Sequence, residues 1–225
     1  MAEVLITLGI IGVVAAVTLP TLVANYQKTV WVNQLKKTYT TLNEGFKQIV
    51  ASEGCTTLEC ASIDFDLDNG LDFSDNITKE KIVKEFKLEN VIVGDFNNSI
   101  YDYDIGYLNG TKTSFESDDP SFELRGTTPD GAFLMFEDGL IIVDINGLKS
   151  PNVIGRDIYF FTLADVNDSV KIDFWGTTLS LNGEVMSENK LDEIINSDCP
   201  NGDGFLIPNA LCGAKIIRNG WKMNY

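Results

Sequence analysis

The sequence predicts an α+β fold: one long N-terminal helix packed on an antiparallel β-sheet head. Three observations carry this reading. Val4 to Ala24 is an apolar run broken only by threonines, glycines and Pro20. Trp31, Leu35, Tyr39, Leu42, Phe46 and Ile49 then recur at spacings of three and four, the period of a helix with one buried face. From Phe122 onward the period changes to two, between turn-forming residues.

The first two patterns join without a break. No proline or glycine lies between Gln27 and Glu44, and Gly54 is a natural helix stop. One helix over residues 1–53 is about 80 Å long, with an apolar half (1–25) and an amphipathic half (26–53). About 20 apolar residues cover a hydrocarbon core of roughly 30 Å, so the first half is long enough to span a membrane. Pro20 removes one backbone donor and is expected to bend or loosen the helix. Gly45 reads as a tolerable single defect.

The remaining residues, 54–225, are expected to form the head. An acidic loop from Cys55 to Asn76 precedes a short helix over Lys79 to Leu88, with Ile82, Val83 and Phe86 inward. Val91 to Asp104 is irregular or short strand, and a polar loop spans Asn109 to Pro120. FELRGTT, GAFLMF and LIIVDI read as strands, with Pro129-Asp130-Gly131 and Glu137-Asp138-Gly139 as turns. Asp157 to Leu163 and Val170 to Trp175 add two more, and Pro208 to Arg218 reads as a short helix.

Charge is unevenly placed. The 225 residues carry 17 Lys and Arg against 33 Asp and Glu, net −16. Residues 1–53 are net +1, which leaves −17 on the head. Such a head repels nucleic acid phosphates, so DNA binding is not expected as its main role. With no histidine, Ser-His-Asp and Cys-His nucleophile systems and His-ligated zinc are excluded within this chain. No catalytic residue is assigned, and an enzyme is not expected.

The four cysteines, Cys55, Cys60, Cys199 and Cys212, form no C-x-x-C motif. An even count behind an apolar segment favours disulfides in an oxidising compartment, against buried free thiols. Three connectivities are open. Local pairing, Cys55 with Cys60 and Cys199 with Cys212, is preferred, and closing such loops stabilises by roughly 2 and 3 kcal/mol. Trp31, Trp175 and Trp221 are expected to be packing residues rather than a sugar-binding surface.

Glu3 is the awkward residue of the apolar half. A carboxylate beside such a run is costly in lipid and poses a functional question. A secretory signal peptide has a basic start and a shorter core. A plain single-span anchor needs neither Glu3, Pro20 nor continuity with the head. The run Ala2-Glu3-Val4-Leu5-Ile6-Thr7-Leu8-Gly9-Ile10-Ile11-Gly12-Val13-Val14-Ala15-Ala16, with Pro20 beyond it, resembles the type IV pilin-like family, the pilins and the pseudopilins of type II secretion. Val143 to Gly147, Pro151-Asn152, Gly155 to Asp157 and the ending from Cys212 to Tyr225 resemble pseudopilin-like proteins more loosely.

The resemblance implies a structural filament subunit. It implies a prepilin peptidase that cuts a short leader, an inner-membrane assembly platform, membrane lipid as the first environment, and homologous subunits as polymer partners. The subunit would start as a single-pass protein of a bacterial inner membrane, its head outside the cytoplasm, and end in a periplasmic or cell-surface filament. Glu3 would pair with a neighbour's N-terminal amine. Gly9 and Gly12 would allow close helix approach, and Pro20 would be the flexible point. Met1 stands where the family's third mature residue would be, so the reading frame is expected to extend upstream. The alternative is a membrane-anchored extracytoplasmic binding or hydrolytic domain that does not polymerise. Asp144, Asn146 and Asp157 loosely resemble a calcium loop, because calcium takes oxygens from carboxylates and amides. The competing reading of the same residues is an Asx turn after a strand.

Overall fold

The computed structural model describes residues 2–61, 63, 65–66, 70–71, 76–93, 104–116, 123–137, 140–165, 167, 169–175, 177, 187–203 and 207–225. Helix α1 runs Ala2–Ser52, 51 residues with Pro20 inside it. It ends in a paired set of backbone bonds: Cys55 N donates to Val50 O at 3.2 Å and Gly54 N to Ala51 O at 3.0 Å. Gly54 sits at φ +74°, the left-handed geometry that this stop requires and that glycine adopts without strain.

The head follows in chain order as β1 (Phe65–Asp66), β2 (Gly70–Leu71), α2 (Asn76–Phe86), β3 (Glu89–Val93), β4 (Asp104–Gly106), β5 (Lys112–Glu116), β6 (Leu124–Thr127), β7 (Phe133–Glu137), β8 (Leu140–Asp144), β9 (Ile158–Asp165), β10 (Val170–Phe174), α3 (Glu188–Asp198) and α4 (Cys212–Arg218). The central sheet is antiparallel with six strands in the order β10-β9-β8-β7-β6-β3. The α+β architecture read from the sequence is therefore the observed one: a long helix on a multi-stranded antiparallel sheet.

The register explains why these strands read as dense apolar runs. Leu134 pairs with Val143, and Val143 with Tyr159; Phe136 pairs with Ile141, and Ile141 with Phe161. This set belongs to the core shared with α1. The alternate residues Phe133, Met135, Ile142, Ile158 and Phe160 form a second buried cluster with Ile105, Ile154 and Ala210. Both faces of the sheet are buried, so both phases of the period-two pattern are apolar.

Helix α1 supplies Val32, Leu35, Leu42, Phe46, Ile49 and Val50 to the core. Tyr39 stacks on Phe174 at 6.0 Å between ring centres and meets Trp221 edge-on at 5.8 Å. Strand β10 lies at the sheet edge, where α1 also caps it. Ile172 N donates to Asn43 Oδ1 at 3.0 Å. On the other flank α2 packs against α1, with Phe46 and Phe86 5.3 Å apart.

The elements differ from the sequence reading in several places. Helix α2 starts at Asn76 rather than Lys79, α4 starts at Cys212 rather than Pro208, and α3 was not anticipated. Short strands β4 and β5 occupy stretches read as irregular or polar loop. Asp138 and Gly139 of one expected turn, Phe122, and residues 94–103 and 117–120 lie outside the described residues.

Candidate functional site

The most unusual surface of the molecule is the first half of α1. Residues 2–27 are exposed apart from a half-buried Ala15. Twelve large apolar side chains from Val4 to Val23 stand open, each between 51% and 71% exposed. At 1.5–3 kcal/mol for fully burying each such side chain, scaled by the exposed fraction, roughly 10–20 kcal/mol of transfer free energy is unrealised while this helix stands in water. Among the described residues α1 is the one helix that holds an apolar window of 18 residues, and none of that window is buried. The helix is long and apolar enough to cross a membrane, and among the described residues the head leaves this half uncovered. With the sheet head this suits a membrane-associated structural subunit.

Glu3 lies in the first turn of α1, where a carboxylate favours the positive end of the helix dipole. A Cβ placed on Gly9 or Gly12 would meet nothing within 4 Å. Neither glycine is required by packing inside this chain, although each weakens an isolated helix by about 1 kcal/mol relative to alanine. Pro20 sits within the exposed half, where its missing N–H interrupts the backbone ladder.

The cysteines pair locally. Cys55 bonds to Cys60 just after the α1 stop, and Cys199 bonds to Cys212 between α3 and α4. The structure brings Asp144, Asn146 and Asp157 together at the ends of β8 and β9. It also shows what their oxygens do. Asp157 Oδ2 accepts from Asn152 N at 2.9 Å and Asn146 Nδ2 at 3.1 Å, and Oδ1 accepts from Val153 N at 2.6 Å. Asp144 Oδ1 accepts from Asn146 N at 3.1 Å, the Asx turn of the competing reading. Burial raises the Asp157 pKa, partly offset by these donors. With three N–H donors on its two oxygens, the Asp157 carboxylate staples this loop. Among the described residues no group of three or more Cys, Asp or Glu is placed to hold a metal ion.

Sequence reading missed a second staple. Asp198, at the end of α3, is fully buried; its Oδ1 accepts from Asn209 N and its Oδ2 from Leu211 N, both at 2.8 Å. Desolvation raises its pKa to about 6 against those two donors. With the adjacent Cys199–Cys212 bond it ties α3 to α4. The available signal was modest: Leu191 and Ile195 at helical spacing, behind Ser187 and Glu188.

The tail was missed as well. Lys28 Nζ donates to the main-chain oxygen of Tyr225, and Tyr225 Oη donates to Gly155 O at 2.6 Å. Arg156 lies over the Trp31 ring at 5.8 Å and Lys36 over Trp221 at 5.6 Å. Trp31 and Trp221 pack on the main core and Trp175 on the second cluster. The base of the head is thereby fastened to the middle of α1. No family model, curated protein or solved structure matches the chain.

Proposed function

We propose that this chain is a pilin or pseudopilin: a structural subunit of a type IV pilus-like or type II secretion filament that polymerises through the first half of α1. The observation that supports it best is the division of one helix into two unequal environments. From Val32 onward one face is fastened into a core, while the run from Val4 to Ala24 is apolar and exposed apart from a half-buried Ala15. Lipid would cover such a surface in the membrane, and neighbouring copies of the same helix would cover it in a filament core. Gly9 and Gly12 would let helices approach, and Glu3 would find a neighbour's amine in the low-dielectric bundle, which also sets register. The role is structural rather than catalytic, in keeping with a histidine-free chain. A prepilin peptidase and an inner-membrane platform belong to the same proposal.

The test is Glu3→Ala in cells carrying the assembly machinery, with sheared filaments counted by electron microscopy and membrane levels followed by immunoblot. The expected outcome is normal membrane level with filaments reduced at least tenfold, roughly the 1.4 kcal/mol or more expected for removing one partner of a buried pair. Unimpaired assembly contradicts the role given to Glu3. Absence of filaments from the parent chain favours the non-polymerising anchored domain.

A further inference from the structure

We propose that the base of the head holds a phospholipid headgroup phosphate in the cavity between α1 and the C-terminal tail. This rests on the reading of residues 4–24 as lipid-embedded, and not on polymerisation.

The cavity measures about 370 Å³ and is lined by Lys28, Asn109, Arg156, Asn201, Met223 and Tyr225, with Leu108 and Pro200 completing the wall. Asp and Glu outnumber Lys and Arg 33 to 17 in this chain, yet among the described residues this wall carries two cations and no Asp or Glu side chain. Among the described residues neither Lys28 nor Arg156 pairs with an Asp or Glu side chain. Lys28 spends one of its three N–H donors on the Tyr225 main-chain oxygen, leaving two. Arg156 Cζ stands 5.8 Å from the Trp31 ring centre, and its guanidinium offers the planar fork of N–H donors that suits an anion. Asn109 Oδ1 is engaged by Thr111 N and Oγ1, so its amide N–H₂ is the group left to donate.

Position decides which anion. Lys28 lies four residues beyond Ala24, about 6 Å along the helix axis. The headgroup layer on each side of the hydrocarbon is about 5–8 Å thick. With the apolar run in the core, Lys28 therefore stands at the depth of the phosphates, and Arg156 shares its cavity. Tyr26, 68% exposed, sits between them and the core, where aromatic residues favour the interface. The acidic remainder of the head repels phosphate, but screening confines that repulsion to roughly 8 Å at physiological salt. The headgroup contact would fix how deep α1 rests in the bilayer.

The full chain, purified in detergent, is titrated with dioleoylphosphatidylglycerol, and bound lipid is counted by native mass spectrometry. Lys28→Gln and Arg156→Gln keep the side-chain stems and remove the charges. Expected weakening is roughly fivefold for either one and thirtyfold for both together, from the usual attraction per cation near an anionic surface. Arg156→Lys restores most of the affinity, and Lys47→Gln, far up the helix, changes nothing. Parent-like binding by Arg156→Gln and by the double variant overturns the proposal. So does equal retention of inorganic phosphate in place of lipid, which makes the cavity a soluble-anion site. Resistance of the parent to alkaline carbonate extraction is measured separately. Its loss refutes the lipid-embedded reading, whereas its presence with unaltered variant binding refutes the cavity alone.

Discussion

Gly45→Ala tests how α1 meets the head. By helix propensity alone the change is favourable, because glycine inside a helix costs about 0.5–1 kcal/mol relative to alanine. The tertiary contact reverses the sign. A Cβ at Gly45 would stand 2.3 Å from Phe86 Cε1, 2.6 Å from Cζ and 3.2 Å from Cδ1. Phe86 cannot simply swing aside, since it is 5% exposed and packs its ring on Phe46 at 5.3 Å. Overfilling a packed core costs about 1–3 kcal/mol, so the net loss is about 1–2 kcal/mol. Urea unfolding of the detergent-solubilised chain, followed by tryptophan fluorescence, reads this loss. Phe86→Leu should relieve the contact, so the double variant should lie at least 1 kcal/mol above the additive sum of the singles. A Gly45→Ala chain as stable as the parent, or more so, with additive behaviour, refutes the close approach of α2 to α1.

Two other predictions concern fastenings of the head. Asp198 has a folded pKa of about 6, above its free value of 3.8. Between those values the folded state binds more protons than the unfolded state, so its contribution falls as pH rises from about 4 to 7, by at most about 3 kcal/mol. Subtracting the unfolding curve of Asp198→Asn across that range should isolate the slope, and a flat difference contradicts it. Asn43→Ala removes the acceptor for the Ile172 N–H on edge strand β10. It should cost about 1–2 kcal/mol and speed hydrogen exchange at Ile172, whereas Asn43→Asp, which keeps an acceptor, should lose less.

The residues most legible in sequence were those whose environment is set by local period. The unbroken helix from Ala2 to Ser52 followed from spacing and from the stop at Gly54. Strands β7, β8 and β9 followed from their apolar runs, because both sheet faces are buried and every residue reports a core. Helix α3 escaped because its polar surface leaves only Leu191 and Ile195 as full core contacts. For Asp157 the sequence shows the carboxylate oxygens and not the three N–H groups they accept from, which the folded loop supplies.

What the sequence by itself determined is the long helix, its apolar half with Glu3 at one end, and the sheet that its other half covers. These follow from hydrophobic period, a property of neighbours along the chain. Only the tertiary structure decided why Gly45 is glycine, where the Asp198 and Asp157 carboxylates find their donors, and that Lys28 and Arg156 share one cavity. Those facts depend on residues brought together from 41, 11, 4 and 128 positions apart. Periodicity cannot report such pairings, because it is the packed core that creates them.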